Sequence, residues 1–429
     1  MIDADDAQMV RRSWYEASVR RGAEPPLFEG DEEADIGIVG AGYAGLSAAI
    51  ELRKRGFSVA VLDARVPGYG ASGRNGGQVL AGFAHDESVV AQLGATRARA
   101  LWQMTVEAVE LVRGRIAELG IDCDYVPGYL HAATSETKRG ELFRWAETLK
   151  RDFGYDRLEP VGPDRIREWI DSPRYAGATF DPLGGHLHPL KYCLGLAAAA
   201  EAAGARLYAH SPVLMIERGG KPILRTERGR LACRHVLAAC NAYLGDLLPQ
   251  ISRHLLPVRS FIVATETLNP GEADRLVRGR AAVSDNNFVL DYYRATPDDR
   301  LLFGGRVASI SMGPEALAPV LAERMRQVFP QLGHYRIEHA WGGLIDLTLN
   351  RAPDFGRIDD NIYYLQGFSG HGLALAGLAG KLVAEAIAGE AGRFELFTGI
   401  RHHDVPGGRA LHGILLRLGI LYYRLRELL

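Results

Sequence analysis

Residues 35–64 read "DIGIVGAGYAGLSAAIELRKRGFSVAVLDA". The run 36–39 is apolar apart from one glycine, as a strand buried on both faces requires. Gly40, Gly42 and Gly45 follow in the spacing G-x-G-x-x-G. In such a turn the first glycine makes the bend. The second admits a pyrophosphate close to the backbone, and the third lets a helix pack tightly on the sheet. A helix over 44–54 would aim its free amides and positive dipole end at phosphate, and Gly56 ends it. "FSVAVLDA" is a second strand closed by Asp63. A carboxylate there accepts hydrogen bonds from a ribose 2′-hydroxyl and repels a 2′-phosphate. Strand, glycine turn, helix, strand and acid together predict a dinucleotide-binding unit. The rival reading is a glycine-rich turn without a ligand.

The rest of the chain sets the scale. Its 429 residues exceed one small core and predict two interleaved or tandem domains. With 47% apolar and 24% charged residues it has the composition of a soluble globular protein. Acids and bases nearly cancel, 52 against 50, which argues against a nucleic-acid partner. Cys123, Cys193, Cys233 and Cys240 form no CxxC pair and join no histidine cluster. No metal site is expected, and a reduced, cytoplasmic protein is. His186 and His188 lack a third ligand. The N-terminus has no apolar core of a signal peptide, and no run of about 18 apolar residues predicts a membrane span.

The segment that follows Asp63 favours FAD over NAD. "PGYGASGRNGGQVLAGF", 67–83, is too glycine-rich for an ordinary helix and suits backbone laid against a flat ligand. Arg74, Asn75 and Gln78 are candidate donors to a phosphate or to a flavin's polar edge. A long surface loop is the plainer alternative.

These motifs resemble the family of FAD-dependent amine and amino-acid oxidoreductases that includes D-amino-acid oxidase, glycine oxidase and sarcosine oxidase. Within it the subgroup of gamma-glutamylputrescine oxidases is the most similar. The resemblance runs from "SWYEAS" (13–18) through "GASGRNGGQ" (70–78), "VLDYYRATPDDRLLFGGR" (289–306), "WGGLIDLTLNRAPDFGR" (341–357) and "YYLQGFSGHGLALAGLAGKLVAEAIAG" (363–389) to "PGGRALHGILLRLGILYYRLREL" (406–428).

It implies an α/β (α+β overall) fold: a Rossmann-like FAD-binding domain of the glutathione-reductase type, interleaved with a mixed or antiparallel substrate sheet. The expected division is an extension at 1–33, an FAD-binding domain at 34–118, 186–246 and 340–392, a substrate domain at 119–185 and 247–339, and a helical tail at 393–429. The resemblance assigns FAD contacts to Gly40, Gly42, Tyr43, Ala44, Gly45, Asp63, Ala64 and Arg65. It adds Gly70, Ser72, Gly73, Arg74, Asn75, Gly76, Gly77 and Gln78, then Val213 near the adenine, Cys240, Asn241 and Gly343. Gly367, Phe368, Ser369, Gly370, His371 and Gly372 complete the set. The flavin is expected to be non-covalent, because sarcosine-oxidase-like relatives attach it to a cysteine in the C-terminal half and this chain has none after Cys240.

Candidate catalytic or pocket residues are Tyr292, Trp341, His371 and Arg306. Strand alternation separates Tyr292 from Tyr293, and Tyr292 is taken as the pocket wall with Trp341. Arg306 can pair with a substrate carboxylate or serve a structural ion pair. His371 supports the flavin or caps a helix.

The implied reaction is hydride transfer from an amine carbon to the flavin, hydrolysis of the imine and reoxidation by O2, with a gamma-glutamylated amine as substrate. The alternatives are a D-amino-acid or imino-acid dehydrogenase that reduces a quinone, and a flavin-binding protein without activity. The Leu- and Arg-rich tail at 410–429 reads as packing on the protein's own body or a sister subunit of a homodimer, with peripheral membrane contact as its alternative.

Overall fold

The apolar run ahead of the glycine turn lies at the centre of a sheet in the computed structural model, which describes residues 4–287, 290–308 and 313–407. Gly30–Val39 is flanked in parallel by Gly229–Ala238 and Val59–Leu62. Outward from these lie Ile362–Gln366 on one side and Arg206–Tyr208 on the other, also parallel. Asp354–Ile358 closes one edge antiparallel. Met215–Glu217 and Ile223–Arg225 form a small antiparallel meander on Gly229–Ala238.

Both faces of this sheet are covered, which is why its strands are apolar throughout. Ile36, Ile38, Val59 and Val61 join the core cluster that includes residues of the helices Tyr43–Lys54 and Gly372–Ile387. Val39, Ala60, Leu62 and Val236 belong to a second cluster. The two helices approach closely at Gly380, where a Cβ would sit 2.4 Å from the Ala44 carbonyl oxygen.

A second, nine-stranded sheet runs Ile337–Leu347, Leu256–Thr265, Leu301–Ala308, Asp291–Ala295, Ala282–Asp285, Val126–Ala133, Gly177–His186 and Gln78–Val79, with Glu159–Val161 beside Gly177–His186. It is antiparallel except where Ala282–Asp285 meets Val126–Ala133. Leu130, Val283, Tyr293 and Phe303 form its core with Leu317, Leu321 and Met325 of the helix Pro314–Val328. The register places His131, Ser284, Tyr292, Gly304, Ile262 and Trp341 in one row across six strands.

The sheets draw on interleaved stretches of chain. Ile337–Leu347 pairs in the second sheet, so the return to the first comes at Asp354 and not at 340. Gln78–Val79 is a second-sheet strand inside the early segment. Ahead of both sheets stand the helices Ala4–Arg11 and Trp14–Ala17. The tail expected at 393–429 begins with a helix, Gly392–Thr398; its part from 408 onward, including 410–429, lies outside the described residues.

Candidate active site

One cavity of about 1850 Å³ takes its lining from both sheets and from the glycine turns of the first. Ligand pockets for one small molecule span about 300–1,000 Å³, so this one has room for a dinucleotide and a second molecule. Of the residues expected at a cofactor, Gly40, Gly42, Tyr43, Ala44, Asp63, Ala64, Arg65, Gly70, Ser72, Arg74, Asn75, Gly76, Gln78, Val213, Cys240, Asn241, Gly343, Phe368, Ser369, Gly370, His371 and Gly372 line it.

The first glycine turn has the geometry a pyrophosphate needs. Gly40 has φ +106°, and a Cβ there would lie 2.7 Å from the Ala239 carbonyl oxygen. The N-cap residue Gly42 brings no side chain to the helix that starts at Tyr43; the Ser72 hydroxyl accepts the Tyr43 N–H (3.0 Å), and Gly42, Tyr43 and Ala44 line the cavity. Asp63 accepts hydrogen bonds from the backbone N–H of Ala41 (2.7 Å) and Arg65 (2.8 Å), which fixes its carboxylate beside the turn. Burial holds that carboxyl above its ordinary range.

Four expected contacts do not line the cavity: Gly45, Gly73, Gly77 and Gly367. A Cβ on Gly45 would meet the Gly40 carbonyl oxygen at 2.0 Å, and one on Gly73 the Gly68 carbonyl oxygen at 2.0 Å. At Gly77 the obstacle is the Leu187 carbonyl oxygen at 2.2 Å, and Gly367 adopts φ +77°. These glycines shape the turns instead of touching a ligand.

The donors expected in the glycine loop are also spent elsewhere. The Arg74 guanidinium donates to Asp6 (3.1 and 2.9 Å), to the carbonyls of Gly342 (3.1 Å) and Gly70 (3.4 Å), and to the Tyr243 hydroxyl. Asn75 donates to the Ala71 carbonyl (2.9 Å) and accepts from the Gly77 N–H (2.8 Å), which ties the loop to itself. Gln78 donates to the Val283 carbonyl (3.0 Å) and accepts from the Ser284 hydroxyl (3.1 Å). Arg74 and Asn75 therefore build the wall and do not supply the donors first assigned to them.

The second glycine turn, 367–372, is held by Asp346. Its carboxylate accepts the Gly367 N–H, and its carbonyl accepts the Ser369 N–H (3.0 Å). The Asn241 amide, turned to donate, reaches Asp346 Oδ1 at 2.7 Å. Burial pushes this carboxyl up to about 7. His371 stands at the N-cap of Gly372–Ile387. Its Nε2 lies 3.2 Å from the Ala81 carbonyl oxygen, which can only accept, so Nε2 carries the proton and Nδ1 keeps a lone pair. Burial lowers the imidazole's pKa and keeps it neutral.

The opposite wall is the second sheet. Tyr292 lies across Gly304, where a Cβ would fall 2.2 Å from its Cζ, and beneath Gly76, where one would fall 2.8 Å from its ring. Its hydroxyl lies near the Ser260 side chain, and both residues line the cavity. Tyr293 packs into the opposite core, stacked on Phe303 at 5.8 Å.

Trp341 is not a pocket wall. It is fully buried among Trp14, Tyr15 and Leu302, and its indole N–H donates to the Arg74 carbonyl (3.1 Å). It supports the loop from beneath. The backbone of Arg306 lies in Leu301–Ala308, and its side chain is outside the described residues. His186 pairs with the Arg280 carbonyl (2.9 Å), and His188 accepts the Lys191 N–H (3.2 Å).

His131 was missed by motif. It lines the cavity beside Tyr129 and Ser284, lies near the Asp285 backbone, and is pushed down to about 4 by burial. The signal was available in alternation: in "YLHAA" Tyr129 and His131 share a face while Leu130 and Ala132 enter the core.

The residues present fit FAD: a glycine cradle that side chains would fill, a helix N-terminus at the cavity, a fixed carboxylate, and a polar and aromatic wall opposite. A family model described as "FAD dependent oxidoreductase" matches residues 35–386. The chain is 39% identical over 417 residues to gamma-glutamylputrescine oxidoreductase of Escherichia coli, covering 97% of this chain and 98% of that protein. It is 40% identical over 431 residues to a probable oxidoreductase, OrdL, of Haemophilus influenzae, covering 99% of both. Glycine oxidase of Geobacillus kaustophilus has the same fold, with a TM-score of 0.71 at 24% identity over 84% of this chain and 95% of that one. Cradle, cavity and a family match across most of the chain agree, and the protein belongs to the FAD-dependent oxidoreductases.

Proposed function

We propose that this flavoenzyme oxidises the C–N bond of a small amine to an imine, that the amine is gamma-glutamylated, as in gamma-glutamylputrescine, and that O2 reoxidises the flavin. The observation that carries the reading is the single cavity that joins the glycine cradle to the sheet face bearing Tyr292 and His131. The name of the E. coli relative supports the choice of substrate. FAD, when bound, supplies the acceptor for the hydride from the carbon next to nitrogen. The chain's own part is to orient the amine, exclude bulk water and offer acceptors to its N–H groups.

In this reading 34–118, 186–246 and 354–392 would hold FAD, with Asp63 at the adenosine ribose, Val213 near the adenine and the 367–372 turn at the flavin. The segments 119–185 and 247–347 would face the substrate. The uncapped end of Gly372–Ile387 favours negative charge on the reduced flavin. His371 Nδ1 and His131, both neutral, are acceptors for the amine. The flavin is non-covalent: Cys240 lines the cavity, but burial pushes its thiol up to about 12, leaving little thiolate to attack.

We place the enzyme in the cytoplasm, in keeping with its four free cysteines. Among the described residues no single helix is long and apolar enough to cross a membrane.

The test is anaerobic mixing with free and gamma-glutamylated amines. Bleaching of the flavin by gamma-glutamylputrescine, followed by hydrogen peroxide on admission of air, is expected. Bleaching only by free amino acids would overturn the substrate, and reoxidation only by a quinone would overturn the acceptor.

A further inference from the structure

The first residues of the chain precede the segment 35–386 that the family model covers, yet they form the floor of the glycine loop. Helix Ala4–Arg11 packs against strand Ile337–Leu347 and sets the Asp6 carboxylate, 1% exposed, against the Arg74 guanidinium, at 3.1 and 2.9 Å. The short helix Trp14–Ala17 supplies Tyr15, which is fully buried. Its hydroxyl donates to the Asn75 carbonyl (2.8 Å) and accepts from Arg294 (3.1 Å), whose Nε donates to the Gly76 carbonyl (2.8 Å). Three consecutive loop residues, Arg74, Asn75 and Gly76, are thus held by Asp6, by Tyr15, or by a side chain bonded to Tyr15.

Gly70, Gly73, Gly76 and Gly77 give the loop's backbone more freedom to lose than any other residue type would. A guanidinium as buried as Arg74, 3% exposed, also needs a counter-charge to stay in place. Asp6 supplies it from a position 68 residues away.

We propose that Asp6 and Tyr15 are positioning residues for the cofactor: acting through Arg74 and Asn75, they hold 70–78 in the shape that binds FAD. The inference rests on the placement of FAD in this cavity. The test is reconstitution of apoprotein with FAD, read by quenching of flavin fluorescence, alongside the melting temperature of the apoprotein. Asp6→Asn and Arg74→Gln should each weaken FAD binding tenfold or more. The double variant should lose less than the product of the two single losses, because Asp6, which also faces Arg259 at 4.0 Å, reaches the loop through Arg74.

A lower melting temperature of Asp6→Asn with unchanged FAD affinity would overturn the proposal, as would losses that multiply in the double variant. Should Asp6→Asn fail to fold, Tyr15→Phe decides, since it removes one hydroxyl and no charge. Threefold or weaker binding supports the role, and wild-type affinity overturns it. Wild-type protein that takes up no FAD overturns the cofactor placement as well, whereas normal uptake by every variant overturns this inference alone.

Discussion

Two aromatic residues that look alike in sequence have different jobs. Tyr292 lies on the cavity face over Gly304, and Trp341 lies beneath the loop with its N–H on the Arg74 carbonyl. Tyr292→Ala should slow flavin reduction or weaken amine binding about tenfold, which is about 1.4 kcal/mol, with normal FAD content. Trp341→Ala should instead cost about 3–5 kcal/mol of stability and lower FAD retention. Stopped-flow reduction and denaturant titration of the two variants separate these outcomes. Asp346 gives a pH-dependent counterpart. Its carboxyl is held at about 7 in the fold against an ordinary 3.8, so the folded protein binds that proton more tightly than the unfolded chain. The group's contribution is therefore present at low pH and lost as pH rises towards 7. Asp346→Asn has no such proton, so its melting temperature relative to wild type should rise between pH 5 and pH 8. A difference that does not change with pH would mean that Asp346 does not titrate in this way.

At the scale of elements, the glycines divide by what a methyl group would meet. On Gly304 it meets the Tyr292 ring, a side chain that can swing aside. Gly304→Ala should displace that ring, weaken amine binding severalfold and leave FAD bound. On Gly73 it meets the backbone carbonyl of Gly68 at 2.0 Å, which can shift only with the whole loop. Gly73→Ala should yield protein that purifies with little FAD. Flavin-to-protein absorbance ratios of the two proteins check both statements. The row from His131 to Trp341 explains why one sheet can serve two masters. Alternation gives Tyr293, Val283 and Leu130 to the core with Pro314–Val328, while Tyr292, Ser284 and His131 face the other way.

At the scale of the molecule, the cavity proposed for FAD lies where two sheets built from interleaved segments meet, so FAD should act as a staple between them. Saturating FAD at 100 times its Kd should add about 2.7 kcal/mol to the stability of the apoprotein. Acid precipitation should release all the flavin into the supernatant, and Cys240→Ser should retain a normal FAD content. A yellow pellet would reveal a covalent bond. Much of this was legible in the sequence, wherever a rule acts over a few residues. Backbone sterics confine the turn at Gly40 to glycine, strand alternation parts Tyr292 from Tyr293, and apolar runs mark strands covered on both faces. What lay beyond it was the choice of partner across the fold. Arg74 reads as a ligand donor until Asp6, Gly342 and Tyr243 take its N–H groups, and Trp341 reads as a pocket wall until the Arg74 carbonyl takes its own. The helix of Asp6, far from Arg74 in sequence, carries no motif that announces the pairing. Hydrogen-bonding valence is a property of the residue, but which group fills it is settled only when distant segments are packed together and each buried charge must find its counterpart.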